Sequence, residues 1–141
     1  MQSMWHICLL LAFGASRLDT PILYDITTET SMPHLEENLR YTLERSQRCL
    51  GRDDLSSAFP ILQHPSLAGC ELHAQSHDEH TLSYLLVCDR SATTGTAVWR
   101  LEEHLIRGTL AVKLSGKNMT FSQRITGRPI GKCSSSRDSP G

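Results

Sequence analysis

The chain has 141 residues, 39% of them hydrophobic, which suffices for one domain with a single core and not for two of ordinary size. Its 14 basic and 15 acidic residues nearly cancel, so the overall charge calls for neither a nucleic-acid backbone nor an anionic membrane as partner. The balance hides an asymmetry: 12 of the acidic residues lie between Arg17 and Arg90, while 8 of the basic ones lie from Arg100 onward, among them Lys113, Lys117, Arg124, Arg128 and Lys132. Either the C-terminal part presents a basic face to an anionic ligand or partner, or basic strands lie beside acidic ones, as cross-strand pairing favours.

Met4 to Gly14 form a short apolar run, and Gly14-Ala15-Ser16 supply the small residues a signal peptidase reads, so residues 1–16 are expected to be a secretory signal cut after Ser16. The rival reading is a buried N-terminal strand, since no Lys or Arg precedes the run. A bilayer span needs about 20 apolar residues, so no transmembrane segment is expected. Trp5-His6-Ile7 ahead of Cys8 is not the small-residue context of a lipoprotein signal. Four cysteines then remain in the domain at 17–133: Cys49, Cys70, Cys88 and Cys133. Their spacings of 21, 18 and 45 residues contain no zinc-type C-x-x-C pair, and an even number in a small exported chain points to two disulfides with three possible connectivities. The expected location is periplasmic or secreted.

Leu23 to Thr30, with Tyr24, Ile26, Thr27, Thr28 and Thr30, read as a strand. Leu35 to Leu50 fit either a helix, through Leu35, Leu39 and Leu43, or a strand, through the alternation Leu39-Tyr41-Leu43. Asp53 or Asp54 is placed to cap a short helix before Pro60. From Leu82 onward the apolar residues have period two: Leu82, Tyr84, Leu86 and Cys88, then Ala97, Trp99 and Leu101, then Leu110, Val112 and Leu114, then Met119, Phe121 and Ile125.

Turn chemistry sets the registers. A hairpin loop at Gly116-Lys117 places Leu114 opposite Met119, Val112 opposite Phe121 and Gly108 opposite Ile125. A loop at Glu102-Glu103-His104-Leu105 sets Leu101 opposite Ile106 and Trp99 opposite Gly108, where the ring covers the missing side chain. A loop from Asp89 to Thr94 sets Cys88 opposite Gly95, Leu86 opposite Ala97 and Tyr84 opposite Trp99. A turn around Asp78-Glu79 sets Cys70 opposite Cys88, Leu72 opposite Leu86 and Ala74 opposite Tyr84. Directly opposed residues have Cα atoms about 4.5–5.5 Å apart, within reach of a disulfide, so Cys70 pairs with Cys88 and elimination pairs Cys49 with Cys133. The expected fold is all-β: a single antiparallel meander, strongly curved or closed into a small barrel, with one short helix in the N-terminal half. The polar residues Ser134 to Gly141 are expected to be a disordered tail.

With these landmarks the chain resembles a bacterial family of small exported proteins catalogued as domain of unknown function three-six-one-seven. The resemblance runs from Pro21 to Cys133. It is carried by Pro21-Ile22-Leu23-Tyr24-Asp25-Ile26-Thr27, similar to the family's Pro-Gly-Leu-Trp-Glu-Val-Thr, by Cys49-Leu50 with Asp53-Asp54, and by Cys70 and Cys88. It continues in Gly95-Thr96, Gly108-Thr109 and the close Gly127-Arg128-Pro129-Ile130-Gly131-Lys132-Cys133, which matches the family's Gly-x-x-Ile-Gly-x-Cys. Ile22 and Tyr24 depart from the family's Gly and Trp. The resemblance implies an exported bacterial β domain, usually periplasmic, with a strand over Leu35 to Leu50, and it brings no catalytic residue or ligand.

No Gly-x-Ser-x-Gly, phosphate loop, His-Glu-x-x-His or dinucleotide fingerprint is present, and no cofactor is expected. His73, His77 and His80 are the nearest thing to a metal constellation, with a flexible polar turn as the plainer account. Tyr84, Trp99 and Phe121 share the apolar face, either as core or, in a barrel, as the lining of a pocket for an apolar molecule. The function expected is a non-catalytic binding or interaction module that holds an apolar small molecule or an envelope protein. The alternatives are a metal-dependent enzyme using His73, His77 and His80, or an inhibitor of an envelope hydrolase.

Overall fold

A computed structural model describes residues 20–32, 41–115 and 119–133. The expected signal segment, the expected turn at Gly116-Lys117, the first part of the ambiguous stretch after Leu35 and the expected tail from Ser134 lie outside the described residues. Seven strands form one antiparallel sheet: β1 (Ile22–Ser31), β2 (Tyr41–Leu50), β3 (Cys70–His77), β4 (Thr81–Cys88), β5 (Thr94–Leu101), β6 (Ile106–Leu114) and β7 (Met119–Lys132). Their order in the sheet is β2-β1-β7-β6-β5-β4-β3. The all-β expectation holds, and the second part of the ambiguous stretch, Tyr41–Leu50, is a strand.

Two features of the expected architecture are corrected. The chain is not a single meander: β3 to β7 form one, whereas the β1/β2 pair adds to the far side of β7 through β1. Nor is the sheet a barrel, because β2 and β3 form its two open edges. Residues between β2 and β3 explain this. They fold not as one short helix but as three 3₁₀ helices, Arg52–Ser57, Pro60–Gln63 and Pro65–Leu67, and cover one sheet face, so apolar surface is buried without closing the sheet on itself. Pro60 and Pro65 begin the second and third helices, where a missing amide costs nothing. The first helix is capped differently than expected. Gly51 is its N-cap, and Asp54, three residues on, reaches back to accept the Gly51 amide at 2.7 Å.

The core lies between this layer and the sheet. Leu55, Phe59, Ile61 and Leu67 cover Ile26, Leu72, Leu82, Tyr84, Trp99, Leu110 and Ile125. Trp99 is wholly buried; its Nε1–H donates to the Leu55 carbonyl at 2.9 Å, and its ring lies 5.4 Å from that of Phe59. The expected pairing with Gly108 is present, and a Cβ at Gly108 would stand 2.6 Å from the indole.

The registers Leu114/Met119, Val112/Phe121, Gly108/Ile125, Leu101/Ile106, Cys70/Cys88, Leu72/Leu86 and Ala74/Tyr84 are as expected. The β4/β5 register is not. Tyr84 faces Ala97 and Leu82 faces Trp99, a slide of two residues from the expected pairing. A slide of two leaves every side chain on its own face, so alternation does not detect it. The end of β4 pairs only with β3, continued by Asp89 N–H to Gly69 O at 3.1 Å, and a Cβ on Gly95 would stand 2.8 Å from the Ala111 carbonyl oxygen and 3.1 Å from Leu86 Cδ2. The β3/β4 ladder also contains an irregularity between Ala74 and Ser76.

Both disulfides are those expected. Cys70 is bonded to Cys88 across neighbouring strands, Cα to Cα 4.0 Å, and Cys49 to Cys133, Cα to Cα 5.8 Å. The second bridge joins β2 to the residue after β7, and β1 lies between those strands, so it clamps the start of β1.

Candidate functional site

The residues singled out for ligand or metal binding fall in three places. Trp99 is core, held under the 3₁₀ layer by its hydrogen bond to Leu55. Phe121 is buried in the same core and borders a depression on the opposite sheet face. Tyr84 is also buried, but it reaches a cleft of about 280 Å³ between the first 3₁₀ helix and β3/β4, which His77 shares. Burial raises the pKa of its phenol. His73 lies 3.3 Å from Glu71 and His80 3.9 Å from Glu79, both exposed, and among the described residues no group of three His, Cys, Asp or Glu is placed to hold a metal ion. The turn between them is organised by Asp78. Its Oδ1 accepts the amides of His80 and Thr81, each at 2.8 Å, and these bonds hold its pKa below the usual carboxylate value.

The other sheet face carries what the strands do not bury. Because side chains alternate, the residues between the core positions form rows across the strands. One row runs Leu85, Thr96, Ala111, Ser122, Ser31, Tyr41, each directly opposite the next. Its ends are large and exposed, Leu85 at 42% and Tyr41 at 56%, and its middle is small. The step in side-chain size produces two adjoining depressions of about 490 and 340 Å³, both lined by Ser31, Thr96, Ala111 and Ser122. Tyr41 is fixed at one wall by its hydroxyl, which donates to Glu29 at 2.5 Å; that bond is the main cause of its raised pKa.

Charge on this face divides between the two readings of the sequence. On the β1 side, acidic and basic strands do lie together: Arg45 of β2 meets Asp25 at 3.7 Å, and Arg124 of β7 meets Glu29 at 4.0 Å. Arg100 and Arg107 are different. They stand directly opposite each other on β5 and β6, an arrangement that costs stability, and neither makes an ion pair among the described residues. Arg128 on β7 has no ion pair there either. Lys113, opposite Thr94, lies at the far end of the larger depression. The acidic hairpin tip lies beyond Arg100, with Glu103 near His104 at 3.7 Å.

Two structural residues escaped the sequence reading. Gln123 is buried at 4% on β7, inside an otherwise apolar pattern. Its Oε1 accepts the Ile61 amide at 3.1 Å and its Nε2 donates to Thr30 at 2.8 Å, which fixes the second 3₁₀ helix to the sheet. Arg48 holds the same layer from β2, donating to the Ala58 carbonyl at 3.0 Å. Only the parity of Gln123 with Phe121 and Ile125 signalled an inward position. Among the described residues no helix is long and apolar enough to cross a membrane. No family model, curated protein or solved structure matches the chain.

Proposed function

We propose that the chain is an exported, non-catalytic interaction module that binds an acidic protein segment along the sheet face opposite the 3₁₀ layer. The observation that carries this reading is the pair Arg100 and Arg107, opposed across β5 and β6 with no ion pair among the described residues. An uncompensated like-charge pair lowers stability and attracts an anionic partner. Farther along the same strands, beyond the row through Val98, Thr109 and Arg124, the row of small side chains supplies room for a backbone, and Leu85 and Tyr41 supply apolar contact at its ends. The interior offers less room to an apolar ligand, since Trp99, Phe121 and the 3₁₀ layer pack against one another there. Two disulfides suit an oxidising compartment, and the resemblance over Pro21 to Cys133 supports placing the domain in a bacterial envelope.

A fluorescent oligoglutamate peptide tests the reading. Anisotropy is expected to show saturable binding that weakens with salt and is lost in Arg100→Ala/Arg107→Ala, while an oligolysine peptide does not bind. Equal binding of the glutamate peptide by the double variant and the parent would overturn it.

A further inference from the structure

The cleft on the other side of the sheet is separate from the docking face and carries its own chemistry. It lies where the first 3₁₀ helix passes over β3 and β4. Leu72 and Leu82 form an apolar floor, each less than a tenth exposed. Tyr84 stands between them on the same sheet face and is 7% exposed, yet its hydroxyl has no hydrogen-bond partner among the described residues. No side-chain polar atom among those residues is both buried and unpartnered, so this hydroxyl keeps its access to the cleft. A phenol more than nine-tenths buried that saves its one polar group for an open space is placed to bond something that enters it.

Two opposite charges border the same space. Arg52 and Asp53 are successive residues of the 3₁₀ helix, and both line the cleft without forming an ion pair with each other or with any other described residue. Arg52 uses one Nη on the Asp78 carbonyl at 2.8 Å, which fixes the guanidinium at the cleft wall. The Asp53 carboxylate makes no hydrogen bond among the described residues. All three groups line the cleft, and both charges act on the Tyr84 phenol, one lowering and the other raising its pKa. A volume of about 280 Å³ lies just under the range of drug-sized ligands, roughly 300–1,000 Å³.

We propose that this cleft binds a small apolar α-amino acid or the free amino-acid end of a peptide. The carboxylate lies on Arg52 and the Tyr84 hydroxyl, the ammonium on Asp53, and the hydrocarbon side chain on Leu72 and Leu82. A cation and an anion side by side over an apolar floor fit a zwitterion with a hydrocarbon body better than a ligand of single charge, which would leave one of them facing a like charge or an apolar group.

The test uses the full chain with its disulfides intact and L-leucine as the probe, with 4-methylpentanoate and 3-methylbutylamine as analogues lacking one charge each. Titration followed by ¹H–¹⁵N spectra is expected to show saturable leucine shifts at amides of Arg52, Asp53, His77 and Tyr84. Each analogue should bind about tenfold or more weakly, the loss of one charged hydrogen bond. Tyr84→Phe should weaken leucine several-fold at unchanged melting temperature, and Asp53→Asn should remove the preference for leucine over 4-methylpentanoate. Absence of saturable shifts with leucine in the parent, or equal affinity for leucine and both analogues, would overturn the proposal. Neither result bears on the oligoglutamate experiment, which reads the opposite face.

Discussion

The two faces of one sheet are built from alternate residues of the same strands, and they obey different rules. On the covered face the large side chains form one core cluster with the 3₁₀ layer, and the buried amide of Gln123 has partners in Ile61 and Thr30. On the open face the central residues are small, the charges are partly unpaired, and Arg100 faces Arg107. Burial explains the first face apart from the cleft at Tyr84. It explains nothing on the second, where the arrangement is costly by itself, and a residue that lowers stability without a structural return is where a partner is to be sought.

The sharpest way to separate the faces is to weaken what holds the covered one. Replacing Cys49 and Cys133 with Ser opens a loop closed over 84 residues, for which the chain-entropy relation gives about 4.5 kcal/mol. The Cys70/Cys88 bridge closes only 18 and should cost about 3 kcal/mol. Denaturant unfolding of the two double variants should therefore rank them in that order, and the reverse order would show that the clamp on β1 is not the main constraint. Next in size, Trp99→Ala removes the centre of the core and should cost about 3–5 kcal/mol. Gly108→Ala should be destabilising too, because its Cβ would meet the indole at 2.6 Å; unchanged stability would show that Trp99 does not rest there. Gln123→Ala strands the Ile61 amide and should cost about 1–3 kcal/mol, measured by the same unfolding curves, with faster hydrogen exchange in the second 3₁₀ helix. On the open face, Arg100→Ala should change stability by no more than about 0.5 kcal/mol, and the sign expected is a gain, since a like-charge pair is relieved.

The smallest effect concerns the β3/β4 turn. Asp78 has its pKa lowered in the folded chain by the His80 and Thr81 amides, so its contribution is present above the unfolded carboxylate pKa and is lost as pH falls through the folded one. The turn should loosen only in strongly acidic solution. Amide shifts of His80 and Thr81 should follow that titration and lose it in Asp78→Asn; a midpoint at or above the ordinary carboxylate value would contradict the bonding.

Much of this was legible before folding was seen. Alternation together with turn residues located β3 to β7 and three of their four registers, and the opposition of Cys70 and Cys88 followed from one of them. The β4/β5 slide was not legible, because a shift of two residues preserves every face. The open-face row was implicit in the correct registers, since Ala111 opposite Ser122 follows from Val112 opposite Phe121. The cleft was half visible: Tyr84 and His77 were singled out for different reasons, and only the 3₁₀ helix brings Arg52 and Asp53 to them.

By itself the sequence determined the identity of β3 to β7, the division into apolar and polar faces and the Cys70–Cys88 bridge, with Cys49–Cys133 left by elimination, because these follow from local periodicity and from distances between neighbouring strands. Tertiary structure decided the rest. Whether the sheet closes, which side of β7 receives β1, and what covers the core depend on residues 51–69 collapsing onto the sheet, a long-range competition for one apolar surface that no local pattern encodes.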